Sequence, residues 1–173
     1  AEWPWVGVVN FWFFKRPSEA EQDQAWYYFR MVEPDFTPQP VYNAVKEYAH
    51  QPPVMYPGYH QEDHWAVHYE GQWSTLADEQ AVLGAYRRSE EAGPRLSFAF
   101  HGTDLILVVI KSEGSGALQV IVDDRPPVEI ELRSSAPEFG VRVPIARGLA
   151  YGEHRVRIKA LGEGAALDGF IVR

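Results

Sequence analysis

The sequence predicts a mainly β protein, an antiparallel β-sandwich preceded by a short segment of one strand and two helices. From residue 64 onward apolar and polar residues alternate, as in the segment 95–100, which is typical of strands with one buried face. Turn residues recur between these strands, for example at 114–116 and 123–124. Residues 6–14, in contrast, form a nearly continuous apolar run, which is typical of a strand buried on both faces.

Length and residue distribution predict two parts. The 173 residues exceed an average domain only slightly. Tryptophan is concentrated at the start, since four of the six tryptophans lie in residues 1–50. Prolines at 52, 53 and 57 and a glycine at 58 would interrupt regular structure. These observations predict a first segment at 1–50, a linker at 51–60 and a sandwich at 61–173.

Composition excludes several classes of function. The net charge of −8 and the isoelectric point near 5.2 disfavour nucleic acids and anionic membrane surfaces as partners. No apolar run is long enough to span a bilayer, which needs about 18 residues. The absence of cysteine excludes disulfides, a thiolate nucleophile and a cysteine-ligated metal.

Within the first segment, the doubly buried strand at 6–14 is followed by two helix signals. Ser18 and Glu21 have the spacing of a capping box, which predicts a helix over 19–31. Pro38 and Pro40 predict the start of a second helix. The strand at 6–14 has no neighbour in the first segment, so we expect it to pair with a second copy of the chain or to fold back onto the sandwich.

The stretch "WPWVGVVNFWFFKRPSEAEQDQAWYYFRMVEPDFTPQPVYNAVKEYA" resembles the last strand and closing helices of a clan A glycoside hydrolase (β/α)8 barrel, and is most similar to family 39 enzymes. The resemblance implies that the segment is a barrel remnant of a retaining glycoside hydrolase and that Trp12 lines a sugar subsite. Both catalytic glutamates of that family belong to strands outside this stretch. Because retaining hydrolysis needs two carboxylates, we expect no catalytic residue in this chain. The resemblance also implies that the rest of the barrel domain is a partner of the chain.

The stretches "GQWS", "LSFAFHGTDLILVV", "GALQVIVDD", "GLAYGEHRVRI" and "LDGFIV" resemble jelly-roll accessory modules of bacterial polysaccharide-degrading and esterase enzymes. The resemblance implies a non-catalytic module of carbohydrate-binding type that binds a polysaccharide or oligosaccharide, or braces a catalytic domain. It also implies an extracellular or cell-surface location. A free-standing carbohydrate-binding module and a purely structural interaction domain remain the alternatives.

Sugars stack on exposed aromatic side chains, and the sequence offers Tyr59 and Tyr86 as candidates in the sandwich. Strand alternation places Trp65 and Tyr69 on the same side as apolar neighbours, so both are predicted to lie in the core.

Aspartates in turns are candidate ligands of a structural calcium ion, which takes oxygen donors. The residues considered are Asp104, Asp123 and Asp168, and the alternative is that they cap turns. No other cofactor is predicted.

Overall fold

The computed structural model describes residues 13–15 and 19–173. The chain divides into two compact units, Ala1–Pro52 and Pro53–Arg173. Trp12 and most of the strand predicted at 6–14 lie outside the described residues.

The first unit contains one α-helix, α1 (Pro40–Ala49), in its described part. Pro40 stands in the first turn of α1, as the sequence predicts. The helix predicted over 19–31 is wrong, because two short 3-10 turns, Glu19–Glu21 and Ala25–Phe29, take its place. Val32 bridges to Lys15 and to Pro38, which draws the chain after these turns into an extended conformation. In the described part of the chain, no helix has the length and apolar character needed to cross a membrane.

The second unit is built from twelve short strands. Their bounds are β1 (Val54–Met55), β2 (Gly58–Gln61), β3 (His68–Glu70), β4 (Trp73–Ala77), β5 (Ala85–Ser89), β6 (Arg95–Gly102), β7 (Leu105–Lys111), β8 (Ala117–Val122), β9 (Val128–Glu131), β10 (Glu138–Ala146), β11 (Gly152–Ala160) and β12 (Ala166–Val172).

These strands form two six-stranded sheets. The first sheet has the order β1-β6-β11-β8-β9, and β3 also pairs with β6. The second has the order β10-β7-β12-β5-β4, and β2 also pairs with β12. Only the β1–β6 pair is parallel among the described pairings. The aromatic rings of Phe98 on β6 and Phe170 on β12 lie 4.6 Å apart, so the sheets share one core. The predicted mainly β sandwich is confirmed.

Alternation along the strands builds this core. On β6 the odd-numbered residues are less buried, and Leu96, Phe98 and Phe100 point inward. The central strand β7 is buried along nearly its whole length, which explains its uninterrupted apolar sequence. Burying each such leucine or phenylalanine contributes about 1.5–3 kcal/mol to stability.

Two predictions at the start of the sandwich require correction. The predicted linker at 51–60 contains β1 and all but the last residue of β2, which pair with β6 and β12. Trp65, predicted to be in the core, is 72% exposed. The reason is a turn: the Gln61 carbonyl accepts the His64 N–H and the His64 carbonyl accepts the Val67 N–H, so strand alternation begins only at β3.

Candidate functional site

The outward face of the first sheet is formed mainly by the two long strands β6 and β11. Because side chains alternate across a strand, the residues between the core positions share this face. On β6 they are Arg95, Ser97, Ala99 and His101, and on β11 they are Glu153, Arg155, Arg157 and Lys159. The antiparallel register places these residues opposite one another in pairs, with Ser97 opposite Arg157. The face is therefore mostly polar, with Ala99 as the apolar exception among these residues.

A cavity of about 400 Å³ lies at one end of this face. We call it the groove, and the polar side chains that line it are Glu70, Arg95, Ser97, Gln119, Arg157 and Lys159. They come from four neighbouring strands, β3, β6, β11 and β8. A second cavity, of about 370 Å³, shares Glu70 and Arg95 with the groove and continues along residues 91–94.

The opposite end of the face carries aromatic rings. Met55 on β1 is paired with Phe100 and is fully buried, so the next residue, Tyr56, turns outward beside His101. The Tyr56 and His101 rings stack with centroids 5.8 Å apart, and the Tyr151 ring meets His101 edge-on at 4.6 Å. Tyr56 is 40% exposed and Tyr151 is 63% exposed. We call these three residues the aromatic end.

His101 is also unusual in its hydrogen bonding. Its Nδ1 atom is buried and has no hydrogen-bond partner among the described residues. An unpaired buried polar atom costs about 1–3 kcal/mol of stability. The contacts that the described residues make with the imidazole ring are those of Tyr56 and Tyr151.

The loop that carries Tyr151 is fixed by His154. One ring nitrogen of His154 contacts the Asp123 carboxylate at 2.8 Å and the other contacts the Ala150 carbonyl at 2.9 Å. Both contacts are to acceptors, so both nitrogens donate and the imidazolium form fits best. Burial lowers the pKa of His154, but the hydrogen bonds to Asp123 and Ala150 outweigh it and the pKa is raised.

The pKa of Asp123 is shifted in the opposite direction from that of His154. Burial raises the pKa of its carboxyl, but the Arg155 N–H and the His154 ring donate hydrogen bonds to it, and the pKa is lowered overall. Asp123 adopts a positive φ of 53° at the turn after β8. The pair therefore ties this turn to the start of β11 and to the loop before it.

Tyr59, a predicted sugar-binding residue, lies on the second sheet and is 40% exposed. Its hydroxyl donates to the backbone carbonyl of Asp168 at 3.1 Å. Burial, followed by the nearby charges of Asp168 and Glu62, raises the pKa of Tyr59 to about 12. Burial likewise raises the pKa of the Asp168 carboxyl, although the Val82 N–H donates to it.

Tyr86, the other candidate in the sandwich, is half-buried and contacts the ring of Phe139 edge-on at 6.2 Å. The structure does not bring Tyr59 and Tyr86 into the groove or the aromatic end. Trp12 is outside the described residues.

The three predicted calcium ligands occupy different parts of the sandwich. Asp104 accepts from Thr103 in the turn after β6, Asp123 accepts from His154, and Asp168 accepts from Val82. Within residues 13–15 and 19–173, no group of three or more His, Cys, Asp or Glu side chains is placed to hold a metal ion. The calcium site stays a prediction.

Sequence reasoning offers Tyr56 as one of several aromatic candidates but favours Tyr59 and Tyr86, and it misses His101 and Tyr151. The alternation of β6 carried a signal, because His101 stands two places beyond Ala99 on the outward face. Tyr151 gave no such signal, since it lies outside the alternating pattern, one residue before β11.

A match to a protein-family model shows which family the chain belongs to. The model of the carbohydrate esterase 2 N-terminal family matches residues 84–171, just over half of the 173 residues. The chain belongs to this family. The matched segment contains β6, β8 and β11, which carry most of the groove. The chain is thus a domain related to carbohydrate-active enzymes.

Solved structures share the fold. An exo-β-1,3-galactanase from Phanerochaete chrysosporium, crystallised with β-1,3-galactotriose, is 16% identical over 70% of this chain and 30% of that one, with a TM-score of 0.52. A family two carbohydrate esterase from Cellvibrio japonicus is 22% identical over 65% of this chain and 32% of that one, with a TM-score of 0.50. A two-domain esterase active on acetylated mannans, co-crystallised with mannopentaose, is 14% identical over 66% and 35%, with a TM-score of 0.53.

The chain spans about a third of the length of each of these proteins. No curated protein sequence matches it. The comparisons do not support the resemblance of the first fifty residues to family 39 of clan A.

Proposed function

We propose that this chain is a non-catalytic domain of a polysaccharide-acting enzyme and that it binds carbohydrate across the outward face of the first sheet. The observation that carries the proposal is the placement of two exposed tyrosines, Tyr56 and Tyr151, around His101, in line with a groove of hydrogen-bonding side chains.

Carbohydrate recognition needs both parts of this face. The apolar face of a sugar ring packs on aromatic side chains, and its hydroxyls need donors and acceptors in fixed positions. The strand register sets the distance between the two parts. Ser97 in the groove and His101 are four positions apart, which is about 13 Å along a strand. The residue between them on the same face, Ala99, has a small side chain that leaves room for a ligand. An oligosaccharide can therefore contact both parts at once.

The composition of the groove supports a non-catalytic role. Its lining contains one carboxylate, Glu70, whereas glycoside hydrolysis by the common mechanism requires two. Ser97 and His68 face each other in register, but no hydrogen bond joins them among the described contacts. His68 and Glu70 are 73% and 60% exposed and lie 3.6 Å apart, so they are not held for nucleophile activation.

Titration calorimetry with oligosaccharides of xylan, cellulose and mannan tests the proposal. We expect at least one ligand to bind, and the double variant Tyr56→Ala, Tyr151→Ala to weaken that binding about tenfold or more, at about 1 kcal/mol per lost ring contact. Tyr48→Ala is the matched control, because Tyr48 is also 63% exposed but lies on α1.

Two outcomes would contradict the proposal. Equal loss of binding in Tyr48→Ala and in the double variant would move the site away from this face. Hydrolysis of aryl glycosides or aryl acetates by the purified chain, at a rate that Ser97→Ala abolishes, would make the domain catalytic.

We further propose that the domain accompanies a catalytic domain in a longer secreted protein. The family match and the length of the solved relatives support this proposal. That the first fifty residues end a glycosidase barrel is a separate proposal, which rests on the sequence resemblance alone. The reading frame on both sides of the given sequence tests both proposals. A barrel encoded before Ala1 supports the second proposal, a catalytic domain encoded on either side supports the first, and neither on either side contradicts both.

A further inference from the structure

The groove has a charge opposite to that of the domain around it. Residues 51–173 contain 17 acidic and 12 basic residues. The groove lining nevertheless contains three cations, Arg95, Arg157 and Lys159, and one acid, Glu70. The local excess of positive charge is therefore not a consequence of composition.

These cations have few partners of their own. Arg157 donates one hydrogen bond, to the backbone carbonyl of Asp123 at 3.4 Å. Among the described residues, none of the three cations forms an ion pair. The Trp73 indole N–H donates a hydrogen bond to the Arg95 backbone carbonyl at 3.2 Å.

The strand register places the three cations at neighbouring positions of one face. Arg95 is opposite Lys159 on one side and Glu70 on the other, and the Arg157 backbone is two residues from Lys159, which is about 7 Å along the strand. Like charges at neighbouring positions repel one another, and an anion bound between them removes that repulsion. Guanidinium groups bind a carboxylate with two parallel hydrogen bonds, which fixes its orientation as well as its position.

The surroundings limit where the anion can lie. The second cavity contains Glu91 together with Glu70, so it is acidic and disfavours a carboxylate. Glu129 on β9 lies opposite Gln119 and bounds the groove on its other side. The favourable position is the part of the groove between Arg95, Arg157 and Lys159.

We propose that the groove binds the carboxylate of an acidic sugar, a uronate unit within a carbohydrate chain, while the aromatic end packs on a neighbouring neutral ring. This inference rests on the proposed carbohydrate-binding function and specifies its ligand class. The carboxylate accepts hydrogen bonds from Arg157 and Lys159, and Arg95 lies opposite Lys159 on the neighbouring strand. Ser97 and Gln119 bind the ring hydroxyls.

The test compares two ligands that differ only at one carbon, which is a carboxylate in one ligand and a primary alcohol in the other. A xylo-oligosaccharide that carries a single glucuronate unit and its carboxyl-reduced counterpart, of the same length and linkage, are titrated into the chain by calorimetry. We expect the uronate to bind at least about tenfold more tightly, and this ratio to fall as salt is raised from about 20 mM to about 300 mM. The double variant Arg157→Gln, Lys159→Gln should bring the ratio close to one. Arg95→Gln is a second, single variant that should lower the ratio if the double variant fails to fold.

Arg147→Gln is the matched control, because Arg147 is exposed and lies outside the groove, and it should keep the ratio of the parent chain. Equal affinity for the two ligands would overturn the inference and leave the proposed function intact. Binding of neither this pair nor any neutral oligosaccharide would overturn both. Equally tight binding of a DNA oligonucleotide would also overturn the inference, because it would show attraction to any polyanion.

Discussion

Replacing Gly169 with alanine tests the packing of β2 on β12. A Cβ atom at this position would lie 2.5 Å from the Tyr59 hydroxyl and 2.6 Å from the His60 carbonyl. Contacts this short cannot persist, so either the Tyr59 ring or the β2 backbone must move. The substitution therefore perturbs the hydrogen bond from Tyr59 to the Asp168 carbonyl as well as the strand pairing.

The expected cost follows from three contributions. Overpacking costs about 1–3 kcal/mol, and loss of the Tyr59 hydrogen bond costs about 1 kcal/mol. Alanine gains about 0.4–1 kcal/mol, because it restricts the unfolded chain more than glycine does. The free energy of unfolding should fall by about 2–3 kcal/mol, and the melting temperature by about 5–10 °C.

Urea unfolding followed by tryptophan fluorescence measures this change. Gly152→Ala is the control, since Gly152 is also in a strand but an added Cβ there meets no atom within 4 Å. We expect the control to unfold within about 1 kcal/mol of the parent chain.

A second measurement follows the tyrosine itself. The pKa of Tyr59 is raised to about 12 by burial and by the charges of Asp168 and Glu62. A displaced ring should ionise at a lower pH, nearer about 10, which the absorbance difference between each chain and its Tyr59→Phe variant reports. If Gly169→Ala has the same urea midpoint as Gly152→Ala and an unchanged Tyr59 titration, the described contact between β2 and β12 is incorrect.

Three further substitutions test other parts of the sandwich. His154→Ala should destabilise the domain by about 1 kcal/mol, most strongly between about pH 4 and 6.5. The stabilising contribution of Asp123 is lost as pH falls through its lowered pKa, and that of His154 is lost as pH rises through its raised pKa. A pH-independent loss of stability in urea titrations would contradict the ion pair. Leu83 has a φ of 53° and is 88% exposed, so Leu83→Gly should raise the free energy of unfolding by up to about 1 kcal/mol. Gly84 has a φ of 81°, so Gly84→Ala should lower it by about 1 kcal/mol. Thermal unfolding distinguishes these signs, and an unchanged stability of Gly84→Ala would contradict the strained turn. Ser89→Ala should lower the free energy of unfolding in urea by about 2–3 kcal/mol. The reason is that the buried Ser89 hydroxyl donates a hydrogen bond to the Gly162 carbonyl and accepts one from the Ala165 N–H. A decrease below about 0.5 kcal/mol would mean that these hydrogen bonds are not formed.

Local patterns predicted the long strands well and the short ones poorly. β6 and β11 alternate over eight or nine residues, so their inner faces can be identified from side-chain type alone. β1 and β2 have two and four residues, among prolines and glycine, and resemble a linker in sequence. They become strands because β6 and β12 offer them unpaired backbone groups.

Local patterns also misplaced Trp65 and the first helix. Apolar side chains at 65, 67 and 69 fit a strand, but backbone hydrogen bonds at 61–67 close a turn and leave the indole exposed. The capping signal before residue 19 fits a helix, but pairing of Val32 with Lys15 competes with it. At 61–67 local turn hydrogen bonds override the strand preference, and at 15–32 pairing between more distant residues overrides the helix preference.

The two-layer β core and its main strands follow from the sequence, because an alternation of period two lies in neighbouring residues. The candidate site, in contrast, depends on the tertiary structure. Tyr56 and Tyr151 are distant in sequence, and they meet at His101 because β1 and β11 pair with opposite edges of β6 in one particular register. The same register collects Arg95, Arg157 and Lys159. A shift of one residue would turn these side chains toward the core, and register depends on long-range pairing that no local pattern records.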